Sequence, residues 1–180
     1  MNRGDVDHLS PGLAIPRLHL PATDGSAVCL AALPGRSLLA VYPWTGRPGC
    51  PNPPHWDDIP GAHGSTPELE GFRDHHDEFA ACDVRVFALS GQTSEYQREM
   101  ARRLGLPFPV LSDADGAFAA ALRLPSFAAG GTTYLKRLTL VVRDGAIESV
   151  VYPVTDPVGH AAEMAKRLGY SASSSASSTE

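Results

Sequence analysis

Residues 37–43, SLLAVYP, narrow the fold more than any other segment: seven residues without a charge, closed by Pro43. A run of strand length with no polar alternation suits a strand buried on both faces, as in parallel sheets covered by helices on either side. The flanking sequence supplies the covering. Ser65-Thr-Pro-Glu68 has the S-x-x-E spacing of a capping box, and Leu69, Phe72, His76, Phe79 and Cys82 follow at helical intervals, which predicts a helix starting at Ser65. DVRVFALS (83–90) reads as a strand, SEYQREMARRLGL (94–106) as a helix closed by Gly105, and FPVLSD (108–113) as a short strand. An Ala-rich helix over 115–122, a Gly-rich loop at Gly130-Gly131, a hairpin around Asp144-Gly145 and a last helix over 157–168 complete the chain. With an opening hairpin at Asp24-Gly25, between 18–20 and 27–30, the order is ββ-β-α-β-α-β-α-β-β-α, an α/β plan.

At 180 residues the chain suits one domain, expected over 1–169. No apolar run approaches the roughly 20 residues that span a bilayer, so no membrane role is expected. Fifteen Lys and Arg against twenty Asp and Glu give a net charge of −5 with scattered basic residues, which excludes nucleic acid as an expected partner. Cys29, Cys50 and Cys82 are odd in number and form no C-x-x-C pair, so neither a disulfide framework nor a thiolate zinc site is written here. No metal or cofactor is expected. Reduced thiols, with a first segment that carries acids and lacks an apolar core, predict a cytoplasmic protein. The last residues, YSASSSASSTE (170–180), have little to bury and predict a disordered tail.

Between Pro43 and Ser65 the pattern breaks. Residues 44–64 hold Pro48, Pro51, Pro53, Pro54 and Pro60 with Gly46, Gly49, Gly61 and Gly64, so neither helix nor ladder runs far. A long loop of this kind inside a compact domain is usually functional. Trp44 and Trp56 within it either line a pocket or anchor the loop.

Five local sequences carry a family resemblance: Tyr42-Pro43 ending the central strand, GSTPELEGFRD (64–74), FALS (87–90), FPVLSDADG (108–116) and KRLTLVVRDGAI (136–147). In order and spacing, over roughly residues 10–168, the chain resembles a peroxiredoxin of the AhpC/TSA branch, akin to the bacterioferritin-comigratory or peroxiredoxin Q group. The resemblance implies a thioredoxin-like fold of peroxiredoxin type, with a central mixed sheet flanked by helices. It implies reduction of hydroperoxides by one cysteine at a helix N-terminus, where unpaired N–H groups and the helix dipole lower a thiol's pKa. The thiolate becomes a sulfenic acid that a second thiol reduces, so a thioredoxin-type reductant follows only if a thiol is oxidised. The resemblance also implies a monomer or a homodimer.

The sequence departs from that pattern at the reacting atom. The position matching the peroxidatic cysteine is Ser65, the one matching a resolving cysteine of some relatives is Glu70, and the family's Thr is Ala62. A hydroxyl is essentially never ionised near neutrality and cannot become a sulfenate, so the usual cycle at residue 65 is expected to be absent. A second alignment, counted from Pro43 without a gap, places P-x-x-x-T-x-x-C on Pro43, Arg47 and Cys50 and makes Cys50 the nucleophile. Against it, PNPPHWDD after Cys50 cannot start a helix cleanly, whereas the helix signature follows Ser65. The candidate site is therefore Ser65, Arg137 (the family's active-site Arg), Pro43 (its water shield), His63 as a base and Cys50 as a relocated thiol. Two uses remain open: chemistry on a hydroperoxide or small metabolite, or a redox-inactive binding or regulatory module. For Ser65 the plainer role is that of an N-cap with Glu68 at N3.

Overall fold

The computed structural model describes residues 2–172. The opening hairpin pairs β1 (Leu20–Pro21) with β2 (Ala27–Val28), and Asp24 closes its turn by accepting from the backbone and hydroxyl of Ser26 at 2.9 and 2.6 Å. The uncharged run forms β3 (Arg36–Val41), after which come α1 (Ser65–Asp74), α2 (His76–Ala81) and β4 (Val84–Ser90). Then follow α3 (Ser94–Leu104), β5 (Val110–Ser112), α4 (Ala117–Leu122), β6 (Ser126–Ala129), β7 (Thr132–Leu135), β8 (Leu138–Arg143), β9 (Ala146–Val151) and α5 (His160–Arg167).

The main sheet has the order β5-β4-β3-β8-β9, with β3, β4 and β5 parallel and β8 antiparallel to both β3 and β9. Side-chain alternation divides the core into two layers. Leu38, Ala40 and Tyr42 of the central strand segment pack with Leu69 and Phe72 of α1, Phe79 of α2, Met100 of α3 and Ala161 and Met164 of α5. Leu39 and Val41 face Phe118 and Leu122 of α4 and the N-terminal segment with Leu9, Ile15, Leu20 and Leu30. Both faces are covered, which is why the strand shows no polar alternation.

Three expectations are corrected. The helix from Ser65 breaks at His75 into α1 and α2: the His75 N–H closes α1 on the Gly71 carbonyl, and α2 starts without a side-chain cap. The segment around Gly130-Gly131 is a hairpin rather than a loop: β6 pairs antiparallel with β7 and both glycines take positive φ, +56° and +80°. The capping box does not form. Gly64, at φ +106°, is the N-cap of α1 without a side-chain cap bond, and Ser65 is the first helical residue. Most of the expected tail, 173–180, lies outside the described residues. Tyr170, at its start, donates its N–H to the Ala165 carbonyl at 2.9 Å and packs against the α-helical core layer. Among the described residues no helix is long and apolar enough to cross a membrane.

Candidate functional site

Register brings the site together. Val41 of β3 pairs with Leu138 of antiparallel β8, so the carboxyl end of β3 and the start of β8 meet at one edge of the sheet. Arg137 immediately precedes β8 and, by the two-residue period, points to the same face as Thr139 and Val141, the face covered by α1 and α5. The first turn of α1 lands there.

Ser65 and Glu68, three residues apart on α1, share one face and both meet Arg137. One terminal nitrogen of Arg137 donates to the Ser65 Oγ at 3.0 Å and to the His63 carbonyl at 3.1 Å. The other donates to Glu68 Oε2 in a charge-assisted contact. All three side chains are buried: Ser65 and Arg137 are 3% exposed and Glu68 0%. Burial pushes the Glu68 carboxyl up to about 7, against the downward pull of the Arg137 charge and hydrogen bond. Glu68 Oε1 and Arg137 Nε have no hydrogen-bond partner among the described residues.

The helix end itself contributes polar groups. The N–H groups of Ser65 and Thr66 lie too early in α1 for an intrahelical acceptor, and Pro67 has no N–H to leave unpaired. Gly64 sits tightly under Pro157: a Cβ there would lie 2.8 Å from Pro157 Cγ, besides being strained at its φ. A buried histidine adjoins the same layer. His160 at the start of α5 is 2% exposed, its Nε2 lies 2.7 Å from Thr139 Oγ1, and its ring stands edge-on to Phe72. Desolvation holds the His160 imidazole down to about 4, so it is neutral at ordinary pH.

Of the five residues expected in the site, two meet directly, Ser65 and Arg137. The other three are placed differently. The His63 ring is exposed and bound to Asp57 at 2.5 Å, and it is the His63 backbone carbonyl that meets Arg137. Cys50 is exposed in a turn closed by its N–H to the Arg47 carbonyl at 3.0 Å, and it makes no hydrogen bond to Ser65 or Arg137 among the described residues. Its neighbourhood is α3: Arg47 lies 4.4 Å over the Tyr96 ring and 3.3 Å from Glu99. Pro43 is buried after the end of β3 and walls a separate crevice beside Trp44 and Tyr96. Glu68 was the residue that sequence reasoning assigned to a cap instead of the site. Its signal was present in its spacing from Ser65 and in the apolar Leu69 and Phe72 that turn this side of the helix inward.

The long loop is itself packed. Trp56, in a short 3-10 turn over Trp56–Asp58, is 3% exposed and touches Trp44, Phe127 and Tyr134 with ring centroids 5.5, 5.6 and 5.0 Å away. Buried Ala62 and Ala129 join this cluster, which binds the loop to the β6–β7 hairpin. The two tryptophans therefore anchor the loop, and Trp44 also lines the crevice beside Pro43.

The mixed sheet that carries this helix N-terminus and its arginine belongs to a fold shared with known proteins. The family model described as Redoxin matches residues 10–168. The chain belongs to the Redoxin family. Peroxiredoxin Q, chloroplastic, of Oryza sativa subsp. japonica is 30% identical over 113 residues, 62% of this chain and 45% of that protein. The chain thus spans a little under half of the rice protein's length. Peroxiredoxin Q, chloroplastic, of Sedum lineare is 26% identical over 162 residues, covering 89% of this chain and 78% of that protein. The crystal structure of peroxidoxin BcpB from Mycobacterium tuberculosis matches with a TM-score of 0.70 at 25% identity, covering 89% of this chain and 97% of that one. The fold is the thioredoxin-like fold of peroxiredoxin type. Within this Redoxin chain, the Ser65 hydroxyl at the start of α1 meets an arginine that is bridged to Glu68.

Proposed function

We propose that this Redoxin-family protein does not turn over hydroperoxides at residue 65 and that the Ser65–Glu68–Arg137 centre acts as a redox-inactive binding or regulatory site. The observation that carries the reading is the buried Ser65 hydroxyl accepting from Arg137 at 3.0 Å where the resemblance expects a thiol. In a peroxiredoxin the helix terminus and the arginine stabilise a thiolate; here they hold a neutral oxygen. Arg137 is bridged to Glu68, whose raised carboxyl offsets the guanidinium charge only as pH rises past about 7, and the buried centre favours a small hydrogen-bonding ligand the size of a hydroperoxide. Without an oxidised thiol no thioredoxin-type reductant is needed. Three cysteines without a disulfide suit a reducing compartment, and cytoplasmic placement belongs to the same proposal.

The test is hydrogen peroxide consumption with dithiothreitol as electron donor, for the protein as it stands, Cys50→Ser and Ser65→Cys. The expected result is background consumption for the first two and accelerated consumption for Ser65→Cys. Turnover by the unmodified protein that disappears in Cys50→Ser would overturn the reading and put the chemistry on the exposed thiol.

A further inference from the structure

A cavity system lies at the same end of the sheet and includes none of Ser65, Glu68 or Arg137. The parallel strands β3, β4 and β5 end toward Pro43, Gly91 and Asp113, and open α/β sheets receive ligands in the crevice beyond such carboxyl ends. Two chambers occupy that crevice, one of about 260 Å³ and one of about 480 Å³, and both are bounded by Gly91 and Thr133. Gly91 brings no side chain to the place where they meet. A Cβ added there would find only the Asp113 carbonyl, 4.0 Å away.

The smaller chamber has aromatic walls, Trp44, Tyr96 and Tyr134, together with Pro43. These walls are held in place by other contacts. Trp44 stands edge-on to Trp56, Tyr134 stacks on Phe127 at 5.7 Å, and the Tyr96 hydroxyl donates to the Thr45 carbonyl at 2.8 Å while Arg47 covers its ring. Rigid aromatic walls take a flat apolar group at small ordering cost. The larger chamber is lined by Asp113, Asp115 and Arg123, with Leu124 and Leu135 among otherwise small residues. Both Asp113 oxygens accept backbone N–H groups, from Phe118 and Ala119, each at 2.9 Å, and Asp115 accepts from Ala117 at 3.0 Å. The Arg123 guanidinium, by contrast, has no ion pair or hydrogen bond among the described residues. The acids are committed to the first turn of α4 and the cation is free.

We infer that this crevice is a binding site for a small aryl carboxylate, with its ring between Trp44, Tyr96 and Tyr134 and its acid group past Gly91 toward Arg123. The site is independent of residue 65. The probes are 2-naphthoate and its uncharged counterpart 2-naphthol, titrated by calorimetry with amide chemical-shift mapping on the full chain. 2-Naphthoate is expected to bind and to shift the amides of Gly91, Thr93 and Tyr134. Arg123→Gln is expected to weaken 2-naphthoate about tenfold and leave 2-naphthol unchanged, the loss of one charge-assisted contact. Gly91→Leu, which fills the place where the chambers meet without backbone strain, is expected to weaken 2-naphthoate at least tenfold. No binding of 2-naphthoate at millimolar concentration, shifts confined to other surfaces, or equal affinity in Arg123→Gln would overturn the assignment. Arg123 is exposed, so its variant keeps the test decisive should Gly91→Leu fold poorly.

Discussion

The start of α1 and the long loop before it share one edge of the sheet and are built on opposite principles. At the start of α1 polar groups are buried and meet one another, a guanidinium, a carboxyl and a hydroxyl with almost no solvent contact, although Glu68 Oε1 and Arg137 Nε stay unpaired among the described residues. In the loop, apolar rings are gathered from a sequence crowded with proline and glycine, and Trp56 holds them to a hairpin. The first region places a hydroxyl where the proposed function needs no thiol. The second has mass and rigidity where a plain connection would suffice. The pairing teaches that a polar cluster can be part of the core as fully as an aromatic one, since Arg137, Glu68 and Ser65 are as buried as Trp56.

The sharpest way to break the comparison is through the aromatic cluster. Trp56→Ala should cost about 3–5 kcal/mol in urea unfolding, the range for truncating a buried aromatic. It should also raise amide exchange over 44–64 while leaving that of β3 and β4 unchanged. A loss under 1 kcal/mol would mean that the loop is draped on the hairpin and not anchored to it.

The polar centre gives the next effect. Arg137→Met leaves Glu68 buried without its partner and should cost about 3 kcal/mol or more, whereas Arg137→Met with Glu68→Leu should recover much of that loss. If the double variant is as unstable as the single one, the pair is not acting as a compensated unit.

The pH dependence is smaller and its sign is fixed. The Glu68 carboxyl is raised from its ordinary 4.5 to about 7, so the folded protein holds a proton that the unfolded chain has lost between those values. Its contribution is fully present below 4.5 and is lost as pH rises through 7. His160 works the other way: lowered from 6.5 to about 4, it contributes above 6.5 and that contribution is lost as pH falls through 4. Glu68→Gln removes the first effect and leaves the second. Relative to the unmodified protein, its stability should therefore improve between pH 5 and pH 7, by on the order of 1–3 kcal/mol. Parallel stability curves for the two proteins would contradict the buried state of Glu68. The smallest effect belongs to Cys50→Ser, an exposed exchange expected to change stability by under about 0.5 kcal/mol.

Much of this was legible in the residues. The two-sided core follows from the uncharged β3 and from alternating strand and helix patterns, and the start of α1 falls at Ser65 as the spacing predicts. What was misread was the local role of Glu68. The S-x-x-E spacing fits both a capping box and a pair of side chains on one helix face, and only Arg137, 69 residues away in the chain, decides between them. The β6–β7 hairpin was missed because SFAA and TTYL are too short to register as strands, although the Gly130-Gly131 turn between them was a hairpin signal. The Trp44–Trp56 contact joins residues separated by prolines, and no periodicity reports it.

The central claim is that the frame at the start of α1 persists without a thiol, and the most direct measurement is dimedone trapping with peptide mapping after brief exposure to hydrogen peroxide, comparing the unmodified protein with Ser65→Cys. Rapid labelling confined to residue 65 of Ser65→Cys, with Cys29, Cys50 and Cys82 unlabelled in both proteins, is the predicted result. Rapid labelling of Cys50 in the unmodified protein, or a Ser65→Cys thiol no more reactive than Cys50, would contradict it.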